Sequence, residues 1–204
     1  YNAMSTYFIV YVTGCLFSGV DKALAAKLIG VITSLVVIIR IAEIFIDPLL
    51  GNLIDNTNTK WGRFRPWQFF GGLISAVLLA VIFSGMFGLV NVNTTLFIVL
   101  FVITFVVLDV FYSLRDISYW GMIPALSSDS HERSTYTALG SFTGSIGYNG
   151  LTIVVIPIVT YFSYIFTGKH QESQSGWTCF AIIVAILGVL TAVSYTHLTL
   201  PTIR

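Results

Sequence analysis

Apolar runs of about twenty residues recur along this chain, and that recurrence leaves few folds open to it. They lie near residues 1–18, 28–52, 68–90, 95–124, 136–166 and 177–192. A helix needs about 20 such residues to cross the hydrocarbon core, where backbone polar groups must be satisfied within the segment itself. Composition points the same way. Of 204 residues, 56% are hydrophobic and 9% charged, against about 25% charged in a soluble domain. The mean hydropathy is +0.88. The runs predict an all-α integral membrane protein with six spans and no separate soluble domain in its loops. The fourth and fifth runs exceed the bilayer thickness and Pro157 interrupts the fifth, so both are expected to tilt, kink or emerge into solvent.

Several classes of function drop out early. A net charge of +1 makes no case for nucleic acid as a partner. Cys15 and Cys179 both sit in apolar runs, with neither a disulfide framework nor metal-ligand spacing, and read as small buried hydrophobes. No metal and no organic cofactor is expected. Gly62-Arg63-Phe64-Arg65 is not a phosphate loop, because no strand precedes it and no Gly-Lys-Ser signature follows.

Both ends of the chain are unusual. Tyr1 already lies inside an apolar run with no initiator Met, so the start of the first helix is expected to be missing. Residues 193–204 break the pattern of the sixth run, and Val193 to Thr202 back-translates to a string resembling a transposase-type sequencing adapter. They are read as an adapter artefact, His197 included, with the natural protein continuing beyond Ala192.

The second run carries charges that such a segment does not tolerate without a reason. Arg40, Glu43 and Asp47 fall at i, i+3 and i+7, on one face of a helix. A charge at mid-bilayer costs about 2.5 to 3.5 kcal/mol on insertion scales, so these three must face protein or water. Pro48 follows Asp47 and leaves the carbonyl of Ile44 without its usual amide donor, which offers an oxygen or a hinge. The run ends in Asp55, Lys60, Trp61, Gly62, Arg63, Arg65 and Trp67. Three cations in six residues beside two indoles place this loop on the cytoplasmic side.

Gly51-x-x-x-Asp55 followed by Gly62-Arg63-x-Arg65 resembles a stretched form of the loop 2-3 signature of the major facilitator superfamily. The longer stretch from Asp47 to Trp67 is similar to the glycoside-pentoside-hexuronide:cation symporters. Within that family the likeness is greatest to the galactoside-type lactose permeases, through Arg115-Asp-Ile-Ser-Tyr-Trp-Gly-Met-Ile-Pro124 and Gly140-Ser-Phe-Thr-Gly-Ser-Ile-Gly147 among other segments. The resemblance covers almost all of residues 1–192. It implies a twelve-helix carrier of which this chain is the N-terminal six-helix half, with the C-terminal half, a sugar, a coupling cation (proton or sodium) and the bilayer as its partners. The loop residues Gly51, Asp55, Gly62, Arg63 and Arg65 then belong to the conformational cycle.

Carried over position by position, the family's acidic pair for the coupling cation falls on Glu43 and Asp47, with Arg40 as a tuning counter-ion. Two carboxylates at i, i+4 on a dry face repel, which a proton or a shared cation relieves. The alternative is an Arg40–Glu43 salt bridge that merely pins helices. In the fourth run Asp109, Ser113 and Asp116 share a face, followed by Tyr119 and Trp120. The resemblance makes Asp116 an acceptor for sugar hydroxyls close to the cation and Trp120 a platform for the apolar face of a pyranose. Ser113 joins the cation set, and Tyr119 and Asn149 the sugar set. The bland alternatives are a structural pair for Asp116, an interface anchor for Trp120, and interhelical hydrogen bonds for Asp109 and Asn149. Ser141 stands where the family places a sugar-contacting Arg, and Gly140, Gly144 and Gly147 are expected to form a small-residue face for close helix packing. The implied function is proton-coupled symport of a galactoside such as lactose, or lactose/galactose exchange. A melibiose, raffinose or pentoside carrier, driven by a proton or by sodium, is the nearest alternative, and a membrane enzyme acting on glycosides or a purely structural protein the more distant ones.

Overall fold

A computed structural model describes residues 2–198 apart from 18, 20 and 128. The readings made above for Tyr1 and for residues 199–204 lie outside the described residues. The chain is six helices in succession: α1 (Asn2–Tyr11, continued by a π-helical turn over Val12–Leu16), α2 (Lys22–Asp55), α3 (Arg65–Phe83), α4 (Thr94–Leu126), α5 (Ser130–Thr167) and α6 (Gln174–Leu198). Helices α2 to α6 are each long and apolar enough to cross a membrane, and Thr6–Leu16 is a shorter apolar helix.

Local chemistry sets the ends. Asn93 caps α4 by accepting from the Leu96 amide at 3.1 Å, and Asp129 caps α5 by accepting from His131 at 2.9 Å. Gly168 closes α5 in the left-handed region, φ +69°. Pro66 occupies the first turn of α3, where its missing N–H has no helical partner to lose. Pro48, Pro124 and Pro157 lie inside helices. α5 runs continuously through Pro157, from Ser130 to Thr167.

The third run ends sooner than its hydropathy suggests. α3 stops at Phe83, and Met86, Phe87 and Gly88 all take positive φ in the turn that follows. Side chains of α6 hold this end. Gln174 Nε2 donates to the Phe83 carbonyl at 2.7 Å, Thr178 Oγ1 donates to the same oxygen at 3.2 Å, and Tyr11 donates to Gln174 Oε1 at 3.0 Å. These bonds satisfy a carbonyl that a helix terminus leaves without a partner.

The buried core is aromatic and lies where α1, α3, α4 and α6 meet. Phe97, Phe101 and Phe105 repeat every fourth residue on α4 and stack with centroids 5.9 and 5.8 Å apart. Phe8, Tyr11, Phe83, Trp177 and Phe180 complete the cluster. Between helices in lipid the cohesion comes from close packing and hydrogen bonds rather than from expelled water. The close approaches are made by Gly71, where a Cβ would meet the Phe111 carbonyl at 2.7 Å, and by Gly176 against Val159 and Ser163. α2 and α5 sit at the margin of this core with much of their surface exposed.

Candidate functional site

The α2 charges meet α4 along a seam. Arg40 Nη1 donates to both oxygens of Glu43 at 2.8 Å, and the same nitrogen lies 3.4 Å from Asp109 Oδ1 on α4. Asp109 is 2% exposed, and its carboxyl group lies beside that of Glu43. One turn beyond Glu43, Asp47 has a buried Oδ1 with no hydrogen-bond partner. Opposite it on α4, Asp116 is near enough to sense the Asp47 charge, and Trp120 follows one turn further along the same helix. Ser113 is buried between Asp109 and Asp116 on the same face. Arg115 leaves that face: its backbone and Cβ pack where Gly71 lets α3 approach.

The spacing on each helix produces this arrangement. Residues 40, 43 and 47 on α2 and residues 109, 112, 113 and 116 on α4 each form one stripe, and the two stripes face one another across the α2–α4 contact. Pairing of Arg40 with Glu43 and Asp109 offsets the cost of charge at a depth where lone charges are expensive. Of the alternatives open from the sequence, Arg40–Glu43 is an ion pair and Asp109 is tied across the helices to Arg40.

Beside the seam a cavity of about 660 Å³ opens between α1, α4 and α5, within the size range of small-molecule sites. Tyr112 and Trp120 form its α4 wall, Thr6 its α1 edge, and Gly140, Ser141, Gly144, Ser145 and Asn149 its α5 wall. Trp120 is 40% exposed into this region. Asn149 spends its amide on its own helix, donating to the Ser145 carbonyl at 2.8 Å. Tyr119 stands edge-on to Trp120 at 5.3 Å, and its hydroxyl reaches Gly140. Among the described residues a Cβ at Gly144 or Gly147 would meet nothing within 4 Å, so within this chain these two positions thin the cavity wall. Tyr112 and Thr6 escaped the sequence reading. The signal for Tyr112 was its place three residues after Asp109, whereas nothing in the local sequence marks Thr6.

The loop between α2 and α3 is a tight structure. Gly62 takes φ +94°, which favours glycine, and pairs with Thr59 in an isolated bridge. Arg63 is ion-paired with Asp55 and lies over the Phe64 ring. Phe64 packs on Gly121, the neighbour of Trp120 on α4. Gly51 lies one turn before Asp55 with open space at its Cα, and Arg65 opens α3.

Membrane-length helices enclosing a charged seam and a polar cavity define a multi-pass integral membrane protein. A family model described as MFS/sugar transport protein matches residues 1–201. The chain belongs to that family. It is 57% identical to the lactose permease of Leuconostoc lactis over 95% of its length and 53% identical to the lactose permease of Lactobacillus helveticus over 94%. It is 36% identical to the raffinose carrier protein of Pediococcus pentosaceus over 94%. In each case the chain spans 30% of the relative's length. No solved structure matches it.

Proposed function

We propose that this chain forms the N-terminal half of a secondary transporter that moves a galactoside, lactose foremost, across the cell membrane with a proton, or in exchange for galactose. One observation carries the reading: the carboxylate seam of α2 and α4 adjoins, through Asp116 and Trp120, a sugar-sized polar cavity. Glu43 and Asp47, with Arg40, Ser113 and Asp116 around them, take the coupling cation. The unpartnered oxygen of Asp47 supports this, since a buried carboxylate oxygen without a donor is a vacant acceptor. Asp116 accepts sugar hydroxyls, Trp120 stacks on the pyranose, Tyr119 braces that indole, and Asn149 contributes from α5. No bond is made or broken, so the protein is a carrier and not an enzyme. Alternating access then comes from rocking this bundle against the second half about the shared site. The tight α2–α3 loop, with Gly51, Asp55, Gly62, Arg63 and Arg65 on the cytoplasmic side, joins the moving helices.

The names of the lactose permease relatives support the choice of sugar, and that of the raffinose carrier keeps a larger galactoside as the second reading. Uptake of labelled lactose by cells expressing the full-length gene, with melibiose, raffinose and galactose as competitors, separates the two. Accumulation of intact lactose against a gradient, abolished by collapsing the proton gradient, is the expected result. Failure to accumulate any of these sugars overturns the reading.

A further inference from the structure

Arg40 has two acidic neighbours on two different helices. Its Nη1 is 2.8 Å from both Glu43 oxygens, one turn along α2, and 3.4 Å from Asp109 Oδ1 across the seam. Asp109 is the more deeply buried acid, its side chain 3% exposed against 18% for Glu43. A guanidinium offers five donors in a rigid fork, so two carboxylates can share it, but its single charge neutralises only one of them. The other charged or titratable groups of the seam are Asp47 on α2 and Tyr112 and Asp116 on α4, with Arg115 near them on the α3-facing side of α4. α1, α3 beyond Arg65 and α5 beyond Arg133 carry no Asp, Glu, Lys, Arg or His.

We propose that Asp109 is a positioning residue for coupling, the acceptor that takes over the Arg40 guanidinium when Glu43 gives it up to the cation. The inference rests on the reading of Glu43 and Asp47 as the coupling pair. A cation arriving at Glu43 is repelled by the guanidinium already held there. Displaced with no second acceptor, Arg40 would be a lone charge at membrane depth, which is costly. Asp109 lies ready at 3.4 Å, slightly longer than a charge-assisted hydrogen bond. The exchange leaves a guanidinium now shared between Glu43 and Asp109 to Asp109 alone, so filling the cation site shortens the α2–α4 pair, tightens the seam and couples ion occupancy to helix packing.

Asp109→Asn in the full-length carrier keeps the size of the side chain and removes the competing charge. Lactose uptake into membrane vesicles is measured across an external pH series and, separately, a sodium series. The half-saturating concentration of the driving ion should rise about tenfold, within the usual range of coupling between two sites. The half-saturating lactose concentration for exchange at saturating ion should stay as in the unaltered protein, and Asp109→Glu should restore the ion dependence. A merely structural role lowers the amount of active carrier without moving the ion dependence. If Asp109→Asn does not reach the membrane, Arg40→Gln combined with Asp109→Asn takes its place. There Glu43 is no longer held, and ion affinity should equal or exceed that of the unaltered protein. An unchanged ion dependence in Asp109→Asn, or weakened ion affinity in the double variant, overturns the proposal. Asp47→Asn is run alongside: if it still concentrates lactose, the coupling-pair reading beneath the proposal fails, whereas loss of accumulation there with a normal Asp109→Asn sinks the Asp109 role alone.

Discussion

The Gln174 side-chain amide reaches 91 residues back along the chain to donate to the Phe83 carbonyl, so α6 caps the end of α3. The bond ties the left-handed turn at Met86 and Phe87 to the aromatic core through Tyr11. Replacing Gln174 with Leu leaves Thr178 as the remaining α6 donor to that oxygen. The variant should lose about 0.5 to 1.5 kcal/mol of stability, the scale of an interhelical hydrogen bond in a membrane bundle. Unfolding of the purified full-length protein in mixed micelles reads this, and an unaltered midpoint contradicts it.

Trp120 stands on the cavity wall with Tyr119 edge-on behind it. Trp120→Ala should weaken sugar affinity by about 1 to 3 kcal/mol, as expected for losing an aromatic platform, and Trp120→Phe should keep part of it. Expression and membrane insertion should be unaffected. Equal lactose affinity in the Ala variant assigns the indole to anchoring at the membrane interface.

Asp47 on α2 and Asp116 on α4 should fail in different ways when neutralised. Asp47→Asn removes the charge through which cation binding biases the carrier between its states, since a ligand shifts an equilibrium only by its differential affinity. Uphill accumulation should disappear while lactose-for-galactose exchange partly survives. Asp116→Asn should damage binding, accumulation and exchange together. Identical transport phenotypes for the two variants remove the distinction between cation site and sugar site.

Two glycines of similar appearance should respond oppositely to a methyl group. At Gly71 a Cβ would sit 2.7 Å from the Phe111 carbonyl, so Gly71→Ala overpacks the α3–α4 contact and should cost about 1 to 3 kcal/mol. At Gly144 nothing lies within 4 Å. Gly144→Ala should be neutral for stability, while Gly144→Leu projects into the cavity and should raise the lactose concentration needed for half-maximal uptake. Melting curves and uptake kinetics on the same preparations check both halves.

Much of this architecture was legible because hydrophobic length and helical spacing are local properties. The spans, the shared face of Arg40, Glu43 and Asp47, and the stripe of Asp109, Ser113 and Asp116 all follow from them. What depended on partners was not legible. The pairing of Arg40 with Asp109 needs the relative register of two helices about seventy residues apart. The early end of α3 depends on acceptors and donors in α6, and hydropathy is blind to the positive φ of Met86 and Phe87, although Gly85 and Gly88 beside them were a hint. Gly140, Gly144 and Gly147 were read as a packing face since their spacing is right for one, but spacing says nothing of what stands opposite: Gly140 meets the Tyr119 hydroxyl, and Gly144 and Gly147 line the cavity.

Pro48 sits inside α2 directly after Asp47. It removes one rung from the backbone ladder at the point where the unpartnered carboxylate is placed, and a proline is among the commonest causes of a bend in a long helix. The 34 residues of α2 run as one helix across Pro48, with their weakest rung there. Arg40 and Glu43 lie before that rung, Gly51 and Asp55 after it, with Arg63 linking on to the start of α3. Electrical load and backbone weakness thus meet in adjacent residues, Asp47 and Pro48.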